Sequence, residues 1–344
     1  MRAILLCAGK GTRFRPVTEA IPKPLLPFLN VPLAIAHLER LQQAGIAEVA
    51  VNLHHLPDQV ERRLSEEPAR LPQLAFFREP VILGTAGALR NAAAFLGGGD
   101  FLVVNSDTAI APDYAALLAR HRESGRAATL LVTENRHPER DTPLQAEGDR
   151  ITGFGKRGGQ RPLLYTGVGV LAPRLLGRIP PGETALVAHL WQPLLDEGRE
   201  EIGFVFHEGP NADLGRPGDF LRASLEALAR GGPFPAGSGS FDERSRVLAR
   251  GGLPPRGGDA ADAVLGLATL GAGAALRRSA VWDGVAVGEG ASLTDCIAAR
   301  GRVPAGAHYE KSLLWTSDGG DVVAFPISGL DGDDHGVQPF SPRR

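Results

Sequence analysis

A glycine-rich loop near the amino terminus most constrains what this chain folds into. The apolar residues 3–7 predict a buried strand, which runs into the sequence AGKGTR at residues 8–13. Prolines then recur up to position 27, and Lys23 stands between two of them. Because proline restricts its own backbone and that of the preceding residue, Lys23 is expected to point at a fixed place. Backbone N–H groups beside arginine and lysine suit a polyphosphate.

The loop does not fit two common phosphate-binding patterns. A P-loop ends in Gly-Lys followed by serine or threonine, and no such triplet follows at the required spacing. The dinucleotide pattern needs a third glycine where Phe14 stands, and an acidic residue at the end of the second strand, where the sequence has Asn52. Either a tight turn with solvated charges or another kind of nucleotide loop remains.

The segments after the loop alternate between strand and helix patterns. Apolar residues at helical spacing predict a helix at 32–44, and a charged surface helix is predicted at 57–64. Short apolar runs predict strands at 49–53, 74–77 and 101–104. This order predicts a parallel α/β sheet, in which ligands bind at the carboxyl ends of the strands. We therefore expect the glycine-rich loop at the ligand-binding edge of that sheet.

Two further stretches lie where such a sheet binds its ligand. Residues 83–87 (LGTAG) are small enough for a flat ring to lie against the backbone, although an ordinary helix N-terminus has the same pattern. Asp107 follows the strand at 101–104, which is the expected position of a Mg²⁺ ligand, although aspartate also caps turns. Each stretch taken alone has a purely structural interpretation.

Taken together, these stretches resemble the sugar-1-phosphate nucleotidylyltransferases. Residues 8–25 match their signature, which reads Ala-Gly-x-Gly-Thr-Arg, Pro-x-Thr and then Pro-Lys-Pro-Leu. Residues 83–89 and 105–107 look most like the mannose-1-phosphate guanylyltransferases, and residues 211–217 resemble the motif that supplies a second metal carboxylate. The resemblance implies a Rossmann-like mixed, mostly parallel α/β sheet. It also implies transfer of a nucleoside monophosphate from an NTP to a sugar 1-phosphate, with a GDP-mannose type of product favoured.

The resemblance further implies roles for particular residues. Arg13 is expected to bind the departing β- and γ-phosphates, and Lys23 the α-phosphate and the transition state. Because the attacking phosphate is already an anion, no strong general base is expected, and catalysis consists of positioning and charge stabilisation. The expected catalytic residues are Arg13, Lys23 and Asp107, and the expected Mg²⁺ ligands are Asp107 and Asp213. The expected nucleotide-binding residues are Ala8, Gly9, Gly11, Thr12, Arg13, Gly84, Thr85, Ala86 and Gly87, and the expected sugar-phosphate-binding residues are Lys156, Tyr165, Thr166 and Gly167.

The sugar-side segment departs from the family pattern. Lys156 matches a family Glu-Lys-Pro string whose other two positions are Gly155 and Arg157 here, and only Gly167 of a family Asn-Ala-Gly string is kept. The surroundings of Gly167 resemble the muramate-phosphate uridylyltransferases instead. Synthesis of a UDP-sugar, from N-acetylmuramate, glucose or N-acetylglucosamine 1-phosphate, is therefore an alternative. An inactive regulatory paralogue that binds a sugar nucleotide is another.

A hexapeptide repeat occupies the carboxyl-terminal part of the chain. Three similar copies start at residues 270, 287 and 303, with aliphatic residues six apart. The repeat resembles a short left-handed parallel β-helix of about three coils. The expected domains are a catalytic domain at 1–230, a Gly/Pro-rich linker at 231–262, a β-helix at 263–328 and a disordered tail at 329–344. An acyltransferase would need a catalytic histidine and more coils, and His308 is the only histidine in the repeats.

Composition narrows the range of partners. The 344 residues carry a net charge of −2 and give an isoelectric point of about 6.5, so the chain lacks a basic footprint for nucleic acid. Because no apolar run approaches ~20 residues and no signal-peptide pattern opens the chain, we expect a cytoplasmic protein without a membrane span. Cys7 and Cys296 are expected to be buried thiols. Mg²⁺ and small-molecule substrates are the expected ligands, and unpaired coil edges favour a homo-oligomer formed through the repeats.

Overall fold

The chain forms two compact units, each made of more than one segment. The structure is a computed structural model that describes residues 1–135, 141–155, 162–198, 201–231, 239–252, 259–316 and 320–330. Unit 1 comprises Met1–Lys10, Pro22–Leu25 and Ala34–Asn211. Unit 2 comprises Gly11–Ile21, Leu26–Leu33 and Ala212–Arg344. The signature segment is therefore shared between the two units.

Unit 1 is built on a mixed sheet, which has nine strands within the described residues. The strands are β1 (Arg2–Leu6), β2 (Glu48–Leu53), β3 (Gln73–Arg78), β4 (Phe101–Asn105), β5 (Ala128–Glu134), β6 (Leu144–Glu147), β7 (Arg150–Phe154), β8 (Leu163–Leu171) and β9 (Ile202–Phe206). Their order across the sheet is β3-β2-β1-β4-β8-β5-β9-β7-β6. Strands β3, β2, β1 and β4 pair in parallel, whereas β8 is antiparallel to both of its neighbours. The predicted parallel α/β sheet is confirmed for the first four strands.

Helices connect the strands of this sheet. They are α1 (Leu33–Gln43), α2 (Pro57–Ser65), α3 (Gly84–Asn91), α4 (Ala93–Leu96), α5 (Tyr114–Ser124) and α6 (Gln192–Asp196). Asp113 caps α5, because its side chain accepts a hydrogen bond from the N–H of Ala116 at 2.9 Å. A π-helical stretch, Val187–Trp191, precedes α6 and continues directly into it. Within the described ranges, no helix is both long and apolar enough to cross a bilayer.

The register of the parallel strands aligns their carboxyl ends. Leu6 at the end of β1 lies opposite Asn52 on one side and Asn105 on the other. The central strands are buried, and Ile4 and Val103 are 0% exposed. Because the three strands end at the same level, the loops that follow them begin at one edge of the sheet.

Unit 2 combines part of the signature segment with the carboxyl-terminal region. The signature part contains a 3₁₀ turn, Thr12–Phe14, an α-helical turn, Val17–Ala20, and a short antiparallel pair of strands, Pro27–Phe28 and Val31–Pro32. Helix α7 (Pro217–Ala229) precedes the repeats and has proline in its first turn, where a missing N–H costs nothing. Apolar side chains of α7 are buried, including Phe220.

Within the described part of residues 240–326, short strands stack into three sheets. The first sheet contains Ser240–Asp242, Val247–Ala249, Ala263–Leu265, Ala280–Val281, Ile297–Arg300, Ser312–Thr316 and Val322–Pro326. The second contains Asp259–Ala261, Ala275–Arg277, Ser292–Thr294 and His308–Glu310, and the third contains Thr269–Leu270, Ala286–Val287 and Arg302–Val303. The second and third sheets are parallel throughout, and the first is parallel except for its two end strands. This arrangement is compatible with a β-helix.

One corner of these repeats carries charges of alternating sign. Arg246, Asp262, Arg278, Asp295 and Lys311 occupy equivalent positions in successive levels, and all have a positive φ. Arg246 pairs with Asp262, and Arg278 pairs with Asp295 at 2.7 Å. Opposite charges therefore stack along this corner, where the left-handed conformation recurs at each level.

The structure differs from the predicted domain boundaries at the start of the repeats. Residues 231–262 have a linker composition, yet Val247–Ala249 already pairs in parallel with the next level of the first sheet. Strands of three residues separated by glycines and prolines resemble a linker when read as a sequence, because each strand is too short for an alternating pattern. Most of the predicted disordered tail, from residue 331 onward, lies outside the described residues.

Candidate active site

A pocket in unit 1 lies where β1, β2 and β4 end. Its lining comes from these strand ends, from the glycine-rich loop, from the Lys23 segment and from the start of α3. The lining residues are Leu6, Ala8, Gly9, Lys23, Pro24, Asn52, Ile82, Gly84, Thr85, Asn105, Ser106 and Asp107. Three stretches singled out in the sequence thus meet in one pocket, because parallel strands direct their following loops to the same edge.

Lys23 and Asp107 form an ion pair in this pocket. The ammonium Nζ of Lys23 donates to Oδ2 of Asp107 at 2.6 Å. The Lys23 side chain is only 7% exposed, whereas the Asp107 side chain is 36% exposed. A buried ammonium requires an anionic partner, so the pair holds a positive charge at a defined point of the pocket wall.

A buried histidine supports the backbone next to Asp107. Nε2 of His37, on α1, lies 2.9 Å from the carbonyl oxygen of Thr108. Burial lowers the pKa of His37 to about 4, so the ring is neutral and its Nε2–H donates this hydrogen bond. Because the ring is neutral near pH 7 and lies behind the aspartate loop, it positions that loop.

A hydrogen-bond chain links the strand ends to the start of α3. Asn52 accepts from the N–H of Cys7 at 2.8 Å and donates to Glu79 at 2.8 Å. Glu79, which is 3% exposed, accepts from the N–H of Leu83 at 3.0 Å with its second carboxylate oxygen. Motif comparison missed both Asn52 and Glu79. The available signal for Asn52 was a polar residue at the carboxyl end of a buried strand.

The first turn of α3 packs closely on Thr184. The N–H groups of Ala86 and Gly87 donate to the carbonyl oxygen of Thr184 at 2.9 and 3.3 Å. In return, the N–H of Thr184 donates to the carbonyl oxygen of Leu83 at 2.8 Å. Thr85 accepts from the N–H of Leu186 at 2.9 Å. Gly84 and Thr85 line the pocket, while the N–H groups of Ala86 and Gly87 are engaged within the protein.

Replacing Gly84 by alanine is expected to loosen this wall of the pocket. Gly84 has a φ of +71°, and an added Cβ would lie 2.5 Å from the carbonyl oxygen of Thr184. Strain of about 1–3 kcal/mol is typical for a forced backbone conformation, so the thermal unfolding transition should fall and nucleotide affinity should weaken. Thermal unfolding and nucleotide titration check this. Gly98→Ala is the matched control, since nothing lies within 4 Å of its Cβ position. Unchanged unfolding of Gly84→Ala would contradict the close packing.

Arg13 and Asp213 come together in unit 2. Nη2 of Arg13 lies 3.7 Å from Oδ2 of Asp213, and both side chains are about half exposed. Oδ1 of Asp213 accepts from the N–H of Gly215 at 2.8 Å. A Cβ on Gly215 would lie 2.5 Å from Nη2 of Arg13, so the guanidinium rests against this glycine. Asp107 belongs to unit 1 and Asp213 to unit 2, and their joint binding of Mg²⁺ stays a prediction.

The turn before Arg13 also belongs to unit 2. Gly11 has a φ of +60°, and its carbonyl oxygen accepts from the Thr18 hydroxyl at 2.8 Å. Thr12 begins a short 3₁₀ turn that ends at Phe14. The side chain of Thr18 therefore fixes the loop from which Arg13 projects.

The predicted sugar-side residues contact the protein core. Thr166 donates to the carbonyl oxygen of Leu131 at 2.9 Å. The hydroxyl of Tyr165 is buried, and its burial raises the pKa of the phenol. Gly167 has a φ of +82°, and a Cβ there would lie 2.6 Å from Nδ2 of the pocket-lining Asn105. Tyr165 and Thr166 are absent from the pocket lining, and Lys156 lies outside the described residues.

The donor set suits a magnesium ion that takes some of its ligands from substrate. Among the described residues, no group of three or more His, Cys, Asp or Glu side chains could hold a metal ion. Asp107 is partly exposed in the pocket, and its bond to Lys23 uses only one carboxylate oxygen. Mg²⁺ commonly binds one or two carboxylates together with substrate phosphates, so Asp107 fits as a protein ligand.

Cys7 lies at the end of β1 but does not fit the role of a nucleophile. Its thiol is buried, and burial raises its pKa to about 12. A thiol in that state is protonated near neutral pH and is a poor nucleophile. The predicted structural role of Cys7 agrees with this environment.

Comparisons with known proteins point to one family. Residues 2–141 match the "Nucleotidyl transferase" family model. A rice protein (Oryza sativa subsp. japonica) named "Probable mannose-1-phosphate guanylyltransferase 1" is 30% identical over 255 residues, which are 70% of this chain and 69% of that protein. The mannose-1-phosphate guanylyltransferase of Mycobacterium tuberculosis is 29% identical over 302 residues, covering 84% of this chain and 81% of that protein.

Several vertebrate relatives match over a smaller part. Mannose-1-phosphate guanyltransferase beta-B of Xenopus laevis is 29% identical over 232 residues, which are 64% of this chain. The chain spans 63% of the length of that relative.

Solved structures share the fold of about two thirds of the chain. HddC from Yersinia pseudotuberculosis covers 65% of this chain and 98% of its own, with a TM-score of 0.57 and 21% identity. At this identity the likeness supports the fold alone, which is a mixed α/β nucleotidyltransferase fold. The rice protein is 30% identical, and this chain covers more than two thirds of its length. This finding and the family match confirm the resemblance that the signature segment shows. This chain belongs to the sugar-1-phosphate nucleotidylyltransferase family.

Proposed function

We propose that this chain transfers a nucleoside monophosphate from an NTP to a sugar 1-phosphate and releases pyrophosphate, with GDP-mannose as the favoured product type. The observation that carries the proposal is the ion pair between Lys23 and Asp107 in a pocket that also contains Gly9 and Thr85. A held ammonium beside a carboxylate and exposed backbone suits a nucleoside triphosphate with its metal ion.

The reaction needs charge stabilisation more than proton transfer. An oxygen of the sugar 1-phosphate attacks the α-phosphorus in line, and the bond from that phosphorus to the oxygen bridging to the β-phosphate breaks. Pyrophosphate leaves with the electron pair of the broken bond. Because the attacking oxygen is already anionic, no side chain has to remove a proton.

Lys23 is the residue we assign to the α-phosphate. Its ammonium has three donors, and the bond to Asp107 occupies one of them. The remaining donors are held in place before substrate arrives, because the side chain is buried and anchored. A preorganised cation stabilises the charge that develops on the α-phosphate oxygens without a cost of reorganisation at that moment.

Arg13 is assigned to the departing β- and γ-phosphates. Its guanidinium is half exposed and carries a planar set of donors that matches phosphate oxygens. The backbone around Gly9 and Gly84 is assigned to the nucleotide. Mg²⁺, held by Asp107 and phosphate oxygens, with Asp213 as the second carboxylate predicted from its motif, would supply neutralisation of the triphosphate charge.

The base and the sugar are assigned from different observations. The relatives reported above are named for mannose 1-phosphate and guanylyl transfer, and residues 83–89 and 105–107 resemble the same proteins. The second candidate is a UDP-sugar, favoured by the departure of the sugar-side segment at Gly155 and Tyr165 from the family pattern. The regulatory paralogue would bind a sugar nucleotide without turnover.

A substrate panel tests the proposal. Pyrophosphate release is measured with Mg²⁺ and GTP, UTP, dTTP, ATP or CTP against hexose, hexosamine and muramate 1-phosphates. We expect GTP with mannose 1-phosphate to give the highest kcat/KM. Turnover only with UTP would select the second candidate. Nucleotide binding without pyrophosphate release from any pair would select the regulatory paralogue and contradict the catalytic proposal.

The carboxyl-terminal repeats are assigned as a left-handed β-helix. Parallel pairing at intervals of 16 or 17 residues supports this assignment, as does the recurrence of αL residues at one corner. A homo-oligomer formed through this region stays part of the proposal, and its test is the mass of the protein in solution.

A further inference from the structure

An aromatic cluster in unit 2 joins the signature segment to the repeats. Phe14, next to Arg13, stacks on Trp282 with ring centroids 6.4 Å apart and packs edge-on against Phe220 of α7 at 5.6 Å. Phe220 also contacts Trp282 at 5.8 Å and Phe28 at 5.6 Å. Phe14 is 0% exposed and Trp282 is 3% exposed, so the cluster is fully enclosed.

Polar contacts within unit 2 reinforce this junction. Nδ2 of the buried Asn30 donates to the carbonyl oxygen of Leu265, in the first sheet of the repeats, at 2.9 Å. Arg222 of α7 donates to the carbonyl oxygen of Gly329 at 2.6 Å. A Cβ on Gly218 would lie 2.0 Å from the carbonyl oxygen of Ser328, so the start of α7 lies directly against the chain that follows the repeats. Asn30 therefore ties the signature part of unit 2 to the repeats, while α7 is held against the chain that follows the repeats.

The half-exposed side chain of Arg13 directly precedes Phe14 of this buried cluster along the chain. The 3₁₀ turn Thr12–Phe14 carries both side chains, and Phe14 points into the cluster. The long arginine side chain has several rotatable bonds, so its backbone must be fixed if the guanidinium is to meet one phosphate repeatedly. Phe14 fixes that backbone, and Trp282 is the ring that stacks on Phe14.

We propose that Trp282 is a positioning residue for Arg13, so that the repeats fix the side chain that we assign to the β- and γ-phosphates and are more than an attached module. This inference deepens the proposed function and rests on it for the role of Arg13. Trp282 acts through packing alone, because its indole Nε1 has no hydrogen-bond partner among the described residues. The substitution Trp282→Phe retains a ring for Phe14 and loses no hydrogen bond.

Four variants test the proposal through the KM for GTP. Trp282→Leu should raise this KM by up to about 100-fold, since a misplacement of about 1 Å can cause a loss on that scale, with little change in the KM for the sugar 1-phosphate. Trp282→Phe should restore a value within a few fold of the original protein. Trp315→Leu is the matched control, because Trp315 is a buried tryptophan of the same repeats that stacks under Arg300. Gly215→Ala, which pushes directly on Nη2 of Arg13, should reproduce the Trp282→Leu effect.

A double-mutant cycle separates positioning from simple destabilisation. If Trp282 acts through Arg13, then Trp282→Leu should have no further effect on kcat/KM for GTP once Arg13 is alanine. An additive effect in the Arg13→Ala background, or equal effects of Trp282→Leu and Trp315→Leu on the KM for GTP, would overturn the proposal. Should Trp282→Leu fail to fold, Trp282→Met replaces it, because methionine fills irregular space.

A failure of the proposed reaction can be told apart from a failure of the positioning role of Trp282. Absence of turnover by the original protein with any substrate pair contradicts the proposed reaction. The cycle is then measured on the equilibrium Kd for GTP, where the same non-additivity is expected. An original protein that binds no nucleotide, or a Kd that Trp282→Leu leaves unchanged, overturns the positioning role.

Discussion

Replacing Lys23 by methionine is expected to lower kcat about 10²- to 10³-fold, which is the loss typical for one preorganised donor to a developing charge. The substitution removes the ammonium that we assign to the α-phosphate and keeps a side chain of similar length. Pyrophosphate release under saturating substrates measures the effect.

The folded state should tolerate this change. Lys23 is buried, so methionine removes the cost of keeping a charge out of water. Its partner Asp107 is 36% exposed at the side chain and stays hydrated. Lys10→Met is the matched control, since Lys10 is an exposed lysine of the same glycine-rich loop, and it should keep its kcat. Near-original turnover of Lys23→Met would contradict the assignment of Lys23.

Lys23→Arg distinguishes a defined cation from a general positive charge. The guanidinium is planar and larger than the ammonium, and the pocket wall around Lys23 leaves the side chain only 7% exposed. We therefore expect the kcat of Lys23→Arg to be nearly as low as the kcat of Lys23→Met. Recovery of more than about half of the original rate would mean that charge alone suffices at this position.

Replacing Asp107 by asparagine is expected to lower both turnover and stability. The amide is a weaker ligand for Mg²⁺ than the carboxylate, so kcat should fall by at least about 10²-fold. The buried ammonium of Lys23 loses its anionic partner at the same time. The free energy of unfolding should therefore drop by about 2 kcal/mol, between the ~1 kcal/mol of an exposed pair and the ~3–5 kcal/mol of a fully buried one.

Lys23→Met and Asp107→Asn should therefore affect the free energy of unfolding unequally, although both break the same ion pair. Chemical denaturation measures the free energies of unfolding, and a Mg²⁺ titration of the residual activity separates metal binding from positioning. Asp196→Asn is the matched control, because Asp196 is an exposed aspartate at the end of α6. If Lys23→Met destabilised the protein more than Asp107→Asn, the pair would act mainly as a structural contact.

Local patterns were sufficient for much of the candidate site. Ala8, Gly9, Lys23, Gly84, Thr85 and Asp107 were all predicted, and all line the pocket. The reason is geometric, because each follows a buried parallel strand or stands on a loop held by prolines or glycines, and such strands end at one edge. The sugar side could not be predicted equally well. Tyr165 and Thr166 stand in a family motif position, yet their hydroxyls face the core.

Sequence patterns were enough to predict the family, the parallel strands and the residues at their ends, because these depend on periodicity and on motifs of neighbouring residues. The contacts that those residues make depend on how the chain packs. The hydrogen bond from Asn52 to Glu79, the packing of α3 on Thr184 and the stacking of Phe14 on Trp282 each join positions far apart along the chain. No local pattern encodes such a contact, since it forms only when burial brings two segments together and each side chain must then find a partner.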